Sequence, residues 1–420
     1  MKKETLALHA GYEKDEQKTM AVPIYMTTAY AFDSAEHAAN LFALKELGNI
    51  YTRIGNPTTD VFEKRFAALE GGEAALATAS GMAAITYAVL NLCEAGDNIV
   101  AANQLYGGTV TLFTHTLKRL GIEARMFDVH DPEAAKKLID EKTKVIFFES
   151  ITNPSIDVPD FEALVKVAND AGVITIVDNT VATPILCNPI ELGVDVVVHS
   201  TSKYTTGQGL ALGGIIVEGK SAKAKLLNKE RYPHFNEPDA SYHGLVYNDT
   251  PFPPFILRAR LSLLRDMGAA PSPFNSWLFI QGLEHLALRM KRHSESALTI
   301  AKWLAQHPKV KKVNYPLLEG DKNYQNAKKY LKGGASGLLS FEVESFEEAK
   351  KIADSVQIFS RVVNIGDSKS IITHPASTTH QQLSPEELLA AGVSEGLIRL
   401  SIGLEDPEDL IEDLRRALES

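Results

Sequence analysis

The sequence predicts an α/β protein with a mostly parallel, doubly wound sheet, followed by a smaller C-terminal α+β domain. Between Thr58 and Lys220, short apolar runs rich in β-branched residues alternate with segments of helical periodicity. Strands separated by helix-length segments form βαβ units, whose strands lie parallel and are buried on both faces. Beyond residue 274 strands and helices follow in a different order, which indicates a separate unit.

The individual elements follow from this periodicity. Helices are predicted at 59–69, 82–93, 108–120 and 161–170. Strands are predicted at 98–102, 144–149, 173–178, 194–199 and 213–217. In the C-terminal part we expect a helix at 274–306, bent near Gly282, then a strand at 338–343, a helix at 346–355, an irregular polar segment at 363–379, a strand at 397–402 and a final helix from Pro407.

The chain divides into three predicted segments. Residues 1–57 lack periodicity and contain turn signals such as Gly55-Asn56-Pro57, which favours an extended arm that lies on a partner surface. Residues 58–273 form the main domain, and its end, residues 220–273, is expected to be a long loop-rich insertion of functional importance. Residues 274–420 form the C-terminal domain.

Composition narrows the class of protein. The chain has 420 residues, of which 45% are hydrophobic, and a formal net charge of -10. Nucleic acids and anionic membranes attract basic surfaces, so neither is an expected partner, and no apolar run reaches the length of a membrane span. Two cysteines, Cys93 and Cys187, cannot build a disulfide framework or a thiolate metal site, which favours a reducing, cytoplasmic location. An enzyme acting on a small molecule is therefore expected.

Lys203 is the first candidate for chemistry. It follows the β-branched run Val194-Asp-Val-Val-Val-His-Ser200, so a buried strand would deliver it to the edge of the sheet among hydroxyl side chains. Ligands of open α/β sheets bind at that edge. Taken alone, the pattern is more typical of a surface lysine at an ordinary strand end.

Ser80, Gly81 and Met82 form a small-residue turn that opens directly into a helix. Ser80 is a good N-cap, Gly81 permits close approach of a ligand, and the free N–H groups attract an anion such as phosphate. A plain capped helix is the alternative for this pattern.

Asp178, Tyr106, Tyr51 and Arg53 are further candidates. Asp178 ends a buried strand, where a carboxylate needs a cationic or proton-donating partner, although helix capping is the alternative. Tyr106 precedes two glycines after a strand and is placed to stack on a planar ring, or simply to pack. Tyr51 and Arg53 bring a phenol and a guanidinium together in the arm, which suits a phosphate or an ordinary surface turn.

Together, a lysine, an aspartate, a phosphate turn and a stacking aromatic are what pyridoxal 5'-phosphate requires. The whole chain resembles the trans-sulfuration, or Cys/Met metabolism, family of fold-type I enzymes that depend on this cofactor. The matching motifs are Tyr51-Thr-Arg53, Ser80-Gly-Met82, Val177-Asp-Asn179, His199-Ser-Thr-Ser-Lys-Tyr204 and His374-Pro-Ala-Ser-Thr-Thr-His380.

The resemblance implies a role for each residue. Lys203 would bond to the cofactor and move protons, Asp178 would hold the pyridine nitrogen protonated, and Tyr106 would stack on the ring and assist proton transfer. Arg399 would bind the substrate α-carboxylate, with Asn153 and Asn364 nearby. The phosphate would be cradled by Ser80, Gly81, Met82, Ser200 and Ser202, and reached by Tyr51 and Arg53 of a neighbouring subunit. A homo-oligomer with shared sites, typically a tetramer, is therefore implied.

Within this family the sequence is similar to the branch that joins sulfide to O-acetylhomoserine. Resembling segments begin at Ser241, Leu263, Asn275 and Asn364. Synthases and lyases of the family usually carry Ser-Leu-Gly and Glu-Ser-Leu where this chain has Asn364-Ile-Gly and Lys369-Ser-Ile. The implied reaction is γ-replacement on an amino-acid substrate, giving homocysteine for methionine biosynthesis. Sulfide, methanethiol and sulfur presented by a carrier protein all remain compatible donors, and the alternative is a cystathionine γ-synthase or methionine γ-lyase type of reaction.

Three other hypotheses fit less well. Gly207-Gln-Gly-Leu-Ala-Leu-Gly213 misses the third glycine of a dinucleotide motif at Leu212, which disfavours a dehydrogenase. His374 and His380 lack an acid or cysteine to complete a metal site, so no metal is expected. A catalytically silent binding protein of this fold would alter Lys203, Asp178 or Arg399, and all three are present.

Overall fold

A computed structural model describes residues 1–378 and 393–420 of the chain. Its larger sheet has seven strands in the spatial order β1-β7-β6-β5-β4-β2-β3. These strands are β1 (Ala74–Thr78), β2 (Asn98–Ala102), β3 (Glu123–Phe127), β4 (Thr143–Glu149), β5 (Ile174–Asp178), β6 (Val196–Ser200) and β7 (Gly214–Glu218). The five strands from β6 to β3 run parallel, whereas β7 is antiparallel to both of its neighbours.

A second, smaller sheet lies in the C-terminal part and has the order β10-β11-β12-β9-β8. Its strands are β8 (Lys312–Asn314), β9 (Leu338–Glu342), β10 (Ser360–Arg361), β11 (Ile371–Thr373) and β12 (Leu397–Ser401). All of its pairings except that of β10 with β11 are antiparallel. The predicted α/β class, with a mostly parallel sheet and a smaller second one, is therefore confirmed.

The α-helices connect and cover these strands, and their ends follow ordinary capping chemistry. The helix Pro57–Glu70 begins after Asn56, whose side chain accepts a hydrogen bond from the amide of Thr58, and it ends at Gly71 in the left-handed conformation. The α-helices are Lys3–His9, Ala35–Phe42, Pro57–Glu70, Gly81–Leu90, Gly107–Thr111, Leu117–Arg119, Pro132–Lys137, Phe161–Ala171, Thr183–Leu186, Lys220–Leu226, Pro254–Arg258, Arg265–Met267, Pro273–Glu284, Leu286–Leu304, Tyr324–Tyr330, Phe346–Ser355 and Pro407–Glu419. Two π-helical turns, Leu112–Thr116 and Ala259–Leu264, continue their neighbours.

Two strands of the larger sheet, β1 and β3, were not predicted from the sequence. The strand β1 reads Ala-Ala-Leu-Ala-Thr, and alanine has no preference for strands. The strand β3 carries Glu123 and Arg125 at the edge of the sheet, where charged residues are tolerated because one side faces solvent. The sequence therefore predicted the interior of the sheet and missed its two edges.

The expected loop-rich insertion is partly wrong. Residues 254–267 form one continuous helical run, which includes the π-helical turn. Inside it, the guanidinium of Arg260 bonds to the carboxylate of Glu63 at 2.6 Å and to the carbonyl of Ile54 at 2.7 Å. The predicted arm also contains two short helices, Lys3–His9 and Ala35–Phe42. Tertiary contacts of this kind stabilise short helices that have weak sequence signals.

The long helix predicted at 274–306 is interrupted at His285 rather than bent at Gly282. Gly282 has a different role, since a side chain there would collide with the carbonyl of Thr205 at 2.0 Å. Beside it, the buried guanidinium of Arg289 donates to the carbonyls of Tyr204 at 2.7 Å, Thr205 at 3.2 Å and Gly282 at 2.8 Å. These bonds fix the segment that follows Lys203 onto the long helices. The irregular segment expected at 363–379 contains the strand β11, and Thr379 and His380 lie outside the described residues.

Candidate active site

A cavity of about 230 Å³ opens at the carboxyl ends of β4, β5 and β6. The edge of the larger sheet forms one side, and residues next to and within the smaller sheet complete it. The cavity is lined by eleven of the residues that the sequence singled out: Ser80, Gly81, Met82, Tyr106, Asn153, Asp178, Ser200, Ser202, Lys203, Asn364 and Arg399. The structure thus brings together side chains that are as far as 319 positions apart, from Ser80 to Arg399.

The turn before the helix Gly81–Leu90 forms one wall. Its Ser80 hydroxyl accepts the amide of Ala83 at 3.1 Å, so the serine caps the helix and leaves the first amides available. A side chain at Gly81 would lie 2.6 Å from the Cβ atom of Ser200, so only glycine permits this approach. The hydroxyl of Ser202 accepts a hydrogen bond from the amide of Gly213 at 2.9 Å. Amides and hydroxyls converging at a helix N-terminus are suited to an anion.

Asp178 lies at the end of β5 and is held by Thr180. Both the amide and the hydroxyl of Thr180 donate to Asp178 Oδ1, at 2.9 and 2.5 Å. Burial raises the pKa of Asp178 above its ordinary value, and the Thr180 hydrogen bonds and the nearby His199 only partly offset that effect. A cationic N–H partner within the cavity would stabilise the ionised form of this carboxyl group.

Lys203 lies three residues beyond the end of β6. Its Nζ donates to the side-chain oxygen of Asn364 at 2.6 Å. Burial, and then the positive charge of Arg399, lower the pKa of Lys203 below its ordinary value of 10.5. Both causes disfavour the ammonium form, so a larger fraction of the amine is neutral, and hence nucleophilic, at a given pH.

Arg399 lies in the middle of β12 and is only 7% exposed. Its guanidinium donates to Asn153 Oδ1 at 2.9 Å and to the carbonyl of Asn364 at 3.2 Å, while its Nε has no partner among the described residues. Burial lowers its pKa to about 10. Since the acceptors within residues 1–378 and 393–420 are neutral, the arginine can still take a carboxylate as its counter-ion.

Tyr106 stands at the mouth of the cavity with its side chain 49% exposed. A side chain at Gly108 would lie 2.6 Å from the ring of Tyr106, so the absence of a side chain at this glycine leaves space for the ring. The amide of Tyr106 donates to the carboxyl of Glu149 at 2.6 Å. The ring is therefore fixed through its main chain while one face stays free.

Tyr51 and Arg53 are not among the residues that line this cavity. The guanidinium of Arg53 lies 5.5 Å from the centre of the Tyr51 ring and donates to the carbonyl of Arg265. Within one chain these two residues do not reach the site, and their assignment to a neighbouring subunit remains a prediction.

Glu149 and Thr180 line the cavity and were missed by the sequence analysis. Thr180 follows Asp178 by two positions, which is the spacing at which a hydroxyl bonds a preceding carboxylate. Glu149 ends β4, one strand away from Asp178, and the two are register partners. Applying the strand-end rule to every predicted strand would have found Glu149.

Of the two histidines considered as metal ligands, His374 and His380, the structure describes only His374. His374 is buried, with Nδ1 bonded to the Ser377 hydroxyl at 2.9 Å and Nε2 to the carbonyl of Glu395 at 2.8 Å. His380 lies outside the described residues. Across residues 1–378 and 393–420, no three histidine, cysteine or acidic side chains group as a metal site. In the same ranges no helix is long and apolar enough to cross a membrane.

The fold and the site together define an α/β enzyme that combines a lysine at the end of a strand, an anion turn and a buried arginine. The chain belongs to the Cys/Met metabolism PLP-dependent enzyme family, whose pattern it matches over residues 4–419. The enzyme class and the cofactor, pyridoxal 5'-phosphate, that the sequence predicted are thereby confirmed.

Named relatives are similar over nearly the full length. The chain is 49% identical to an O-acetyl-L-homoserine sulfhydrylase of Leptospira meyeri, covering 100% of this chain and 97% of the relative. It is 48% identical to a homocysteine/cysteine synthase of Kluyveromyces lactis, covering 98% and 96%. Among solved structures, a Campylobacter jejuni protein provisionally named O-acetylhomoserine (thiol)-lyase, which contains N'-pyridoxyl-lysine-5'-monophosphate, matches with a TM-score of 0.98 and 52% identity over 100% of both chains.

The site fits the cofactor on its own chemistry. The helix turn at Ser80 to Met82 and the nearby hydroxyls of Ser200 and Ser202 offer donors to a phosphate. The half-buried Asp178, with its raised pKa, suits an N–H cation, and the Nε of Arg399, which has no partner in residues 1–378 and 393–420, suits an additional acceptor. Lys203, with its lowered pKa, supplies the amine to which an aldehyde can bond.

Proposed function

We propose that the enzyme catalyses γ-replacement on O-acetyl-L-homoserine with sulfide, giving L-homocysteine and acetate in methionine biosynthesis. Full-length similarity to relatives named for this activity carries the proposal. The site supports it, because a buried arginine with neutral protein acceptors lies beside an active lysine, as an amino-acid substrate requires. Within this family the cofactor supplies, when bound, the electron sink that makes protons next to the amino group removable.

Lys203 Nζ is the proton carrier in this proposal. Its amine takes a proton from one carbon of the substrate and returns it to another, while Asn364 Oδ1 accepts a hydrogen bond from Nζ and keeps it on the substrate side of the cavity. Burial and the charge of Arg399 lower the pKa of Lys203, which increases the fraction of the amine that can act as a base. Tyr106 assists by covering the mouth of the cavity with its ring.

Arg399 fixes the substrate by its α-carboxylate. Two neutral partners, Asn153 and Asn364, hold the guanidinium without neutralising it. Asp178, held by Thr180, would keep a proton on the ring nitrogen of the cofactor when it is bound. The anion turn at Ser80 to Met82 binds the phosphate, so that the reacting atoms are held at both ends.

A panel of substrates tests the reaction. The purified enzyme is incubated with O-acetyl-, O-succinyl- or O-phosphohomoserine, each combined with sulfide, cysteine or methanethiol, and the products are identified by mass spectrometry. We expect homocysteine from O-acetylhomoserine and sulfide to form fastest. Accumulation of cystathionine, with cysteine as the only effective donor, would instead indicate a cystathionine γ-synthase, and 2-oxobutyrate without a thiol acceptor would indicate a lyase.

We also propose that the site is shared between subunits of a homotetramer, with Tyr51 and Arg53 reaching the phosphate of a neighbour. The exposed position of Tyr51, 41% accessible and outside the cavity of its own chain, supports this arrangement. A cytoplasmic location, suggested by the cysteine content, belongs to the same proposal, as does delivery of sulfur by free sulfide or by a carrier protein.

Subunit mixing tests the shared site. Lys203→Ala and Arg53→Ala are each expected to be nearly inactive, because one lacks the amine and the other a phosphate contact. When the two variants are unfolded together and reassembled, mixed pairs contain one site with both defects and one intact site, so about a quarter of wild-type turnover should return. Each variant reassembled alone serves as the control. Absence of any recovery, with mixed oligomers shown by native mass spectrometry, would place Arg53 in its own chain's site.

A further inference from the structure

Glu149 is a buried acidic residue that lines the cavity and has no role in the proposed reaction. It ends β4, is 4% exposed, and lies beside Asp178 of β5 in the register of the sheet. Burial raises its pKa well above the ordinary value, and the neighbouring carboxyl of Asp178 adds to this effect. A carboxyl kept in such an unfavourable place indicates that its contacts matter.

The two oxygens of Glu149 have separate partners, and both partners are main-chain amides. Oε1 accepts from the amide of Tyr106 at 2.6 Å, and Oε2 accepts from the amide of Asn153 at 3.0 Å. Tyr106 ends the loop that follows β2, directly before the helix Gly107–Thr111, and Asn153 belongs to the loop that follows β4. One carboxyl group thus joins two loops that carry different parts of the site.

Each of these loops delivers a side chain to the cavity. Tyr106 places its ring there, in the space that Gly108 leaves free. Asn153 places its Oδ1 2.9 Å from the guanidinium of Arg399. A shift of either amide would move the attached side chain, because both are connected to the main chain by few rotatable bonds.

We propose that Glu149 is a positioning residue for the reaction: its carboxyl group sets the main chain at Tyr106 and Asn153, and thereby the aromatic cover and the orientation of the carboxylate-binding Arg399. Only a group with two acceptor oxygens serves both amides. Glutamine has the same shape but replaces one oxygen with an NH₂ group, which would face an N–H donor and leave it unpaired.

The first test is hydrogen exchange in the full-length Glu149→Gln protein with its cofactor bound. Hydrogen exchange followed by mass spectrometry on overlapping peptides reports the amides of Tyr106 and Asn153. We expect exchange at one or both to accelerate about tenfold or more, since the lost acceptor releases a buried amide. This measurement does not depend on the reaction that the enzyme catalyses.

The second test is kinetic and rests on the proposed function. In Glu149→Gln the KM for the amino-acid substrate should rise by about tenfold or more, as Arg399 loses its fixed partner, and the absorption band of the bound cofactor should shift, as Tyr106 moves. If the substrate proves to be another acylated homoserine, the same KM comparison is made with that compound. Failure of the proposed function and failure of the positioning role therefore give different results.

Glu218 provides a matched control. It is also a buried glutamate of the larger sheet, and it accepts the amide of Ile256 at 2.9 Å, but it does not line the cavity. Glu218→Gln should leave exchange at Tyr106 and Asn153, the KM and the absorption band unchanged. If Glu149→Gln does not fold, Glu149→Asp decides, since it keeps both oxygens but is too short to reach both amides, and faster exchange at one of them is expected. Wild-type exchange and KM in a folded Glu149 variant would overturn the proposal.

Discussion

Replacing Lys203 with alanine is expected to lower turnover by about 10⁴-fold or more, because in the proposed mechanism this residue is both the amine that bonds to the cofactor and the base that moves protons. The Nζ atom lies in the cavity and bonds to Asn364, and no other lysine of the described residues lines that cavity. The wild-type protein should be yellow and bleach on borohydride reduction, with a mass increase on the peptide that contains Lys203. In the variant the mass increase should disappear.

Lys225 provides the control for this prediction. It is also largely buried and forms an ion pair of 2.6 Å with Asp195, at the opposite end of the sheet from Lys203. Lys225→Ala should lower the thermal midpoint while retaining the colour and the borohydride adduct. A Lys203→Ala protein that kept the wild-type absorption band and turnover would contradict the assignment of the lysine.

The second large effect is expected at Arg399. Arg399→Lys keeps the positive charge but loses the planar fork that binds a carboxylate through two hydrogen bonds. We expect kcat/KM for the amino-acid substrate to fall by about 100-fold to 1,000-fold, with most of the loss in KM, because the α-carboxylate is bound in the ground state as well. Steady-state kinetics with varied amino-acid substrate and saturating sulfide measure the effect.

A comparison with Arg258 separates this effect from a loss of stability. Arg258 is a largely buried arginine that donates to the side chain and carbonyl of Asn91 at 2.9 Å and does not line the cavity. Arg258→Lys should lower stability and leave KM unchanged. If Arg399→Lys bound the amino-acid substrate as tightly as the wild type, another group would have to hold the carboxylate.

The regular alternation of strands and helices made the centre of the fold predictable. Buried parallel strands have continuous apolar sequences, so β4, β5 and β6 were found within two residues of their ends. Edge strands carry no such signal, since β1 is built from small residues and β3 from alternating charged ones. The helical run 254–267 was missed because prolines mark its start and tertiary contacts of Arg260 stabilise it.

The site was predictable where a residue stands next to a recognisable turn or strand end. Lys203, Asp178 and Ser80 belong to such motifs, and the structure places them around one cavity. Glu149 ends a predicted strand and could have been singled out for that reason, but its contacts could not, because its partners are two main-chain amides, 43 and 4 residues away, that no sequence pattern reveals. The proposed contacts of Tyr51 and Arg53 involve a second chain, so one subunit alone does not determine them.

The cavity is divided between two sheets, with Lys203 beyond a strand of the larger and Arg399 on a strand of the smaller. Arg289 fixes the segment after Lys203 to the long helices that lead into the smaller sheet, so the amine and the guanidinium are connected through packing. In the proposed mechanism Arg399 fixes the carboxylate end of the substrate, so the distance between the guanidinium and the amine would set which substrate carbon Lys203 reaches. A change in the packing between the two sheets is therefore expected to change which carbon of the substrate Lys203 reaches, with both side chains kept.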